Sequence, residues 1–584
     1  MPRLMLNVPY SELYGTKPRF GEVIQEFGKF RMEEVIRLLS KLNYVLSENE
    51  DNAQQQAIEY LLSPETQKRM GNYSRRGQAQ ILPFYRQQIL TAIKLAFLSQ
   101  TGSTEKSVED VTSRHELGDL LLQVTDLCSP TSSFQVTSDL IGQPATVNQD
   151  FSIATNLENE PDLDRHLVRY YKLLFTFIPQ ALQGKGLAPD LWERSFEASY
   201  GCSLRDVFSL ANMLFLHFYA QRKKGYAGQH SWFERDAFFR NIQWQPERID
   251  RTLAHMAADW QTFPNLLLLE QSLPFYTDFA VFQRKPLVID GPGFQVIDRR
   301  SLMGMFGEQL LRQVRSAIPV RDQQDQYGSV LGEAFESYVR WVMRHAFPKS
   351  DQLVDRVQQP SEKGSKFPDI EILDTPVHAY LEVKGMLFSD HAVFSNDPQL
   401  FALELYRNYA QATGVKQLAQ YVATIQKRSR ADRPARIQPV LLGLDRSLSA
   451  LGVHSTLQLA FKTHLEALGG ALDPLDGPLV SKLTVLTAED MELIAAMVEN
   501  GTRIKDILDG IIAHDQQGML SAHDALATSR YRVTPRPGFI TDTLREWQVQ
   551  IAEMFDQESD VELQEGVSSN APVPASIDYP SQES

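Results

Sequence analysis

The stretch from Phe367 to Lys384 limits what this chain can fold into more than any other. Phe367-Pro-Asp-Ile-Glu-Ile-Leu373 and His378-Ala-Tyr-Leu-Glu-Val-Lys-Gly385 are rich enough in β-branched and aromatic residues to read as strands, the second ended by Gly385. Asp374-Thr-Pro-Val377 between them is turn chemistry, so the two should pair as a hairpin. Side chains alternate along a strand. Ile370 and Ile372 therefore share one face, as do Leu381 and Val383, while Asp369 and Glu371, and Tyr380, Glu382 and Lys384, take the other. The apolar face is expected to be buried and the polar face solvated. Pairing should bring Asp369 close to Glu382.

Two carboxylates a few ångströms apart repel unless a cation lies between them. Hard oxygen ligands suit Mg²⁺ or Mn²⁺, held by one or two carboxylates plus water and phosphate oxygens. Such an ion acidifies a bound water and offsets charge on a phosphate. Lys384, on the same face, could steer that water, help deprotonate it or stabilise the transition state.

Pro-Asp followed by a hairpin partner ending Glu-x-Lys resembles the PD-(D/E)xK signature of the restriction-endonuclease-like nuclease superfamily. The resemblance implies metal ligation by Asp369, by Glu382 and by the backbone carbonyl of Val383, with Lys384 serving the attacking water. It also implies a helix before the hairpin carrying a further acid. Tyr327 to Val342 has apolar positions at helical spacing, and Gly332-Glu-Ala-Phe-Glu336 points to Glu336, with Glu333 one turn earlier as the substitute. After the hairpin, Gln417-Leu-Ala-Gln-Tyr421 puts Gln417 and Tyr421 on one helix face and resembles the Q-x-x-x-Y feature of the RecB-like branch, where it contacts substrate or supports the site. Lys416, Lys427, Arg428, Arg430, Arg433 and Arg436 cluster on and after that helix and could follow a phosphate backbone. The implied activity is metal-dependent hydrolysis of nucleic acid, DNA favoured and endonucleolytic cleavage favoured. A large helical region joined to such a domain is similar to bacterial restriction and antiphage effectors.

The expected architecture is α/β. A mainly helical region spans 1–310 and serves regulation or assembly, as a homo-oligomer or with a partner protein. It contains a linker at 129–160 and a β-hairpin at 286–298. The nuclease-like mixed sheet with flanking helices occupies 311–530, a helical extension 531–555 and an acidic disordered tail 556–584. Within the helical region, Ile81 to Leu98 reads as one helix with its polar residues outward, and Trp232 to Phe263 as two helical pieces. Gln438 to Asp445, almost continuously apolar, suits a central strand. Thr487-Ala-Glu-Asp490 is a helix-opening capping box.

Several classes are set aside. The longest leucine run, Leu266 to Leu269, is stopped by Glu270, so no membrane span is expected. The first residues do not read as a signal peptide. The two cysteines, Cys128 and Cys202, fit a reducing cytoplasm and exclude a cysteine zinc cluster. No phosphate-cradling GxxxxGK[ST] motif occurs; Gly184-Lys185-Gly186 lacks its spacing, so no ATP site is expected. The net charge of −15 argues against a generic DNA-coating protein. From Glu553 onward there are eight acidic residues and no Lys or Arg, so the tail holds half the surplus. His454 and His464 read as ordinary histidines rather than zinc ligands.

Overall fold

The structure, a computed structural model, describes residues 5–7, 9–47, 53–74, 80–99, 106–128, 162–221, 231–269, 278–318, 321–347, 353–355, 367–374, 377–394, 398–411, 413–428, 434–450, 452–473, 478–514, 522, 525–526 and 537–552. The linker expected at 129–160 and the tail at 556–584 lie outside the described residues.

The first block is helical, apart from a short parallel pair, β1 (Met5–Asn7) with β2 (Gln80–Leu82). Helices Phe20–Phe27 and Met32–Ser47 bury Val23 and Phe27, and Val35, Ile36 and Leu39, at the spacing that one apolar stripe requires. The helix expected from Ile81 starts only at Arg86, after β2, and its polar residues do not face outward. Gln88, Thr91 and Lys94 are buried, with Gln88 Nε2 donating to Leu121 O and Thr125 Oγ1. A helix packed on several sides loses the polar-out pattern.

Asp162 caps helix α1 (Leu163–Lys172) by accepting from Arg165 N, and a π-helical turn at Leu173–Phe177 leads into α2 (Ile178–Gly184). Trp232 to Phe263 departs from its helical reading at both ends. β3 (Trp232–Glu234) and β4 (Ala257–Asp259) flank two helices, because each is claimed by the hairpin β5 (Leu287–Asp290) and β6 (Gly293–Val296). The sheet order is β3-β6-β5-β4. Three-residue strands are too short to show a period. The expected hairpin forms, turning at Gly291 with φ 60°.

Next come α3 (Glu308–Ala317), the long α4 (Arg321–Ala346), β7 (Leu353–Asp355), β8 (Ile370–Asp374) and β9 (Val377–Lys384). They are followed by α5 (Val415–Gln426), β10 (Arg436–Gly443), α6 (Val453–Ala467), β11 (Leu479–Val480), β12 (Thr484–Thr487) and α7 (Ala488–Glu499). The six strands form a mixed sheet ordered β11-β10-β9-β8-β7, with β12 also paired to β10. β8 is antiparallel to β7 and β9, while β9, β10 and β12 run parallel. β10 is central and buried along its length, as its apolar run predicts. The capping box at Thr487 and Asp490 opens α7.

Helices cover both faces. Leu381 and Val383 pack with Phe335 and Val339 of α4 and Met491 of α7; Tyr380 and Leu441 pack with Leu418 and Tyr421 of α5 and Phe461 of α6. The core is continuous across the boundary expected at 310/311: Leu167, Phe208 and Leu310 join the cluster that holds Val339, Leu381 and Ile494. Most buried apolar residues between 23 and 124 instead gather in a second cluster, which Phe263, Phe282, Val288 and Ile297 join. Helix Gly538–Ala552 returns to α1, where Lys172 meets Glu546. Among the described residues, no helix is long and apolar enough to cross a membrane.

Candidate metal centre

The β8–β9 hairpin forms in the register that the sequence implies, Ile370 opposite Leu381 and Glu371 opposite Tyr380. Asp369, just ahead of β8, accepts a hydrogen bond from Val383 N at 2.7 Å. The N–H and C=O of a strand residue point to the same edge. The Val383 carbonyl therefore opens toward the edge where Asp369 lies.

The polar face is not solvated. Glu382 is 2% exposed, and Tyr380 and Glu371 are buried with it. Helix α5 lies over this face, where the Tyr421 ring meets the edge of Tyr380 at 4.8 Å. Alternation tells which residues share a face, but not whether a second layer covers it.

Lys384 Nζ donates to Glu382 Oε1 at 2.6 Å, its side chain 15% exposed. The carboxyl of Glu382 is pushed up to about 8, first by burial and then by the charge of Asp369, against the pull of Lys384. Asp369 is raised by burial, with Lys384, the Val383 amide and Arg340 opposing. Glu336 is raised by burial and by Asp369, with Arg340 and Lys384 opposing. Burial alone would lower Lys384, yet Glu382 and Asp369 hold it above its ordinary value and charged. Among the described residues, Glu336, Asp369 and Glu382 thus face two cations, Lys384 and Arg340, in a mostly dry setting.

Two further contacts fix this geometry. Gly385 ends β9 so close to α4 that a Cβ there would lie 2.7 Å from Leu331 O and 2.9 Å from Gly332 Cα, so only glycine lets strand and helix meet. Of the two candidate acids on α4, Glu336 is the one that feels Asp369 and Lys384. Glu333, a turn earlier, is exposed and paired with Lys185 at 3.0 Å.

The other expected site residues are not brought together. Gln417 Oε1 accepts from Gly414 N at 3.0 Å and so caps the start of α5, while Tyr421 packs in the core. Lys416 is half-buried, Lys427 donates to Leu468 O from the end of α5, and Arg428 is exposed with its charge felt at Tyr380. Arg436 turns away to Asp509. Arg430 and Arg433 lie outside the described residues. Sequence reasoning missed Arg340, whose Nη2 lies 3.2 Å from Glu336 Oε2; its i+4 spacing from Glu336 was the available signal. His454 and His464 bond to the carbonyls of Leu483 and Ala410, as ordinary histidines do.

The donor set fits a hard divalent ion. Carboxylates beside a backbone carbonyl are what Mg²⁺ and Mn²⁺ take, and among the described residues the three carboxylates face two cations. Among the described residues, no group of three or more His, Cys, Asp or Glu side chains is placed to hold a metal ion. Lys384 sits on the Glu382 oxygen instead. Compared with protein-family models, curated proteins and solved structures, the chain shows no match.

Proposed function

We propose that this chain is a divalent-metal-dependent nuclease of the restriction-endonuclease-like class, hydrolysing phosphodiester bonds of nucleic acid, DNA favoured and internal cleavage favoured. One observation carries the reading: acidic side chains from β9, from the approach to β8 and from α4 converge on Lys384 and, among the described residues, outnumber the cations beside them. Asp369, Glu382 and the Val383 carbonyl would hold Mg²⁺ or Mn²⁺, with Glu336 beside them. A bound ion would acidify water and offset charge on the phosphate. Lys384, kept protonated by Glu382 and Asp369, acts by donating hydrogen bonds to the attacking water or the phosphate rather than by taking a proton. By analogy of architecture alone, a helical half joined to such a centre suits a restriction or antiphage effector.

A second reading, a silent nucleic-acid- or protein-binding module, is favoured by the engagement of Gln417 in a helix cap and Tyr421 in the core. One panel separates the two. Supercoiled, linear and single-stranded DNA and RNA are incubated with Mg²⁺, Mn²⁺ or EDTA, using wild type beside Lys384→Ala. The nuclease reading expects metal-dependent cutting by wild type, with the variant down at least about 10⁴-fold, equivalent to roughly 5 kcal/mol of barrier. No cutting, together with no Mn²⁺ binding by calorimetry, leaves the binding module standing.

A further inference from the structure

The proposed chemistry leaves one charged group at the cluster unused. Arg340 lies one helical turn beyond Glu336 on α4, so both side chains leave the same face. Its Nη2 is 3.2 Å from Glu336 Oε2, and only 11% of its side chain is exposed. Its charge also reaches Asp369. A guanidinium does not give up its proton in a protein, so this positive charge is permanent. Lys384 differs: it bonds to Glu382 and has its own part in the proposed reaction.

A divalent ion entering beside Asp369 would meet that fixed charge, which already acts on Asp369 and holds a Glu336 oxygen. Like charges a few ångströms apart in a poorly hydrated site repel strongly. Glu336 cannot serve both cations fully through the oxygen that Arg340 now holds. We propose that Arg340 is the resident counter-cation of this cluster, and that a divalent ion loads the site only by displacing the guanidinium from Glu336. In the metal-free protein Arg340 holds the carboxylates together; in the loaded protein it is released. It thereby sets the metal concentration at which the centre fills. The inference rests on the metal-centre reading above and concerns the regulation of that site.

The test is calorimetric titration of the full chain with MnCl₂ at one pH and ionic strength, for wild type, Arg340→Gln, Arg340→Lys and Asp369→Asn. With the competing charge gone, Arg340→Gln should bind Mn²⁺ roughly tenfold more tightly, or better. Arg340→Lys keeps the charge and should stay within about threefold of wild type. Thermal melts supply a second reading: without metal, Arg340→Gln should melt below wild type, and Mn²⁺ should raise its midpoint by more. Equal or weaker Mn²⁺ binding by a folded Arg340→Gln overturns the proposal, as does a gain in Arg340→Lys as large as that expected of the glutamine. These failures are distinct from failure of the metal centre itself. If wild type binds no Mn²⁺, the centre is wrong and the inference falls with it. If wild type binds and Asp369→Asn does not, the centre stands whatever Arg340 does.

Discussion

Two clusters of buried charge adjoin α4, and they are balanced differently. Tyr338 and Glu336 are two residues apart, and so point about 200° apart around the helix. On one side Arg169 Nε and Nη2 each lie 2.7 Å from an oxygen of Glu492, Tyr338 Oη donates to Glu492 at 2.6 Å, and both charged side chains are 0% exposed. One cation forks one anion, and a hydroxyl adds a further bond. On the other side Glu336, Asp369 and Glu382 share two cations among the described residues, and Glu382 is pushed up to about 8, first by burial and then by the charge of Asp369. The first arrangement ties α1 to α4 and α7. Among the described residues the second has one more carboxylate than cation, and on that feature the proposed metal centre rests.

The contrast is sharpest in stability. Removing half of the balanced pair strands a charge in a dry interior, so Arg169→Met should cost about 3–5 kcal/mol. Urea unfolding reads this directly. Pairing it with Glu492→Leu should recover most of the loss, because no charge then remains. A single variant within about 1 kcal/mol of wild type would mean that the pair is not dry, and the comparison would lose its reference side.

Glu382 should behave in the opposite way. Its folded-state value of about 8 lies above the ordinary 4.5, so the folded protein binds this proton more tightly than the unfolded chain does. The stability it contributes is complete below about pH 4.5 and is lost as pH rises through 8. Metal-free wild type should therefore lose stability between pH 5 and 8 relative to Glu382→Gln, which carries no titrating proton there. The difference between the two proteins is the quantity to measure, because His166 and His255, both pushed down to about 4 by burial, tilt wild-type stability the other way below pH 6.5. At pH 8 the glutamine variant should be the more stable by roughly 1–2 kcal/mol, while cutting nothing. Parallel pH profiles would show that Glu382 is not strained, and the argument from missing charge would go with it.

How much of this was legible in advance follows the range of each signal. The hairpin register, the central strand β10 and the cap of α7 are local patterns, and all three stand where the residues put them. The proximity of Asp369 to Val383 and Glu382 follows from register alone, which is why the core of the site could be read. Burial of its polar face could not. That is decided by α5, more than thirty residues later in the chain, and by whether a helix or water lies over Tyr380. The same limit hid the continuity of the core across 310/311: Leu167 and Val339 are each apolar at helical spacing, and nothing local says that they meet. Gln417 has a local role that the motif does not show. Three residues past Gly414 it occupies the capping position of its helix, and a cap competes for the very side chain that a substrate-contact motif would use.

The smallest expected effect is the one that separates neighbouring acids on α4. Glu333 and Glu336 are almost one turn apart, and a motif alone admits either. Glu333 is half-exposed and tied to Lys185 across the surface, a pair worth little in water. Glu333→Gln should therefore shift unfolding by no more than about 0.5 kcal/mol and leave Mn²⁺ binding unchanged. Glu336→Gln removes a carboxylate that Asp369 and Lys384 both feel, and should weaken Mn²⁺ by roughly tenfold. It should also unload Arg340, so its metal-free melt should fall where that of Glu333→Gln does not. If the two glutamine variants instead bind Mn²⁺ alike, α4 contributes no acid to the centre. The approach of Gly385 to Leu331 would then serve packing alone, and the site would shrink to the hairpin.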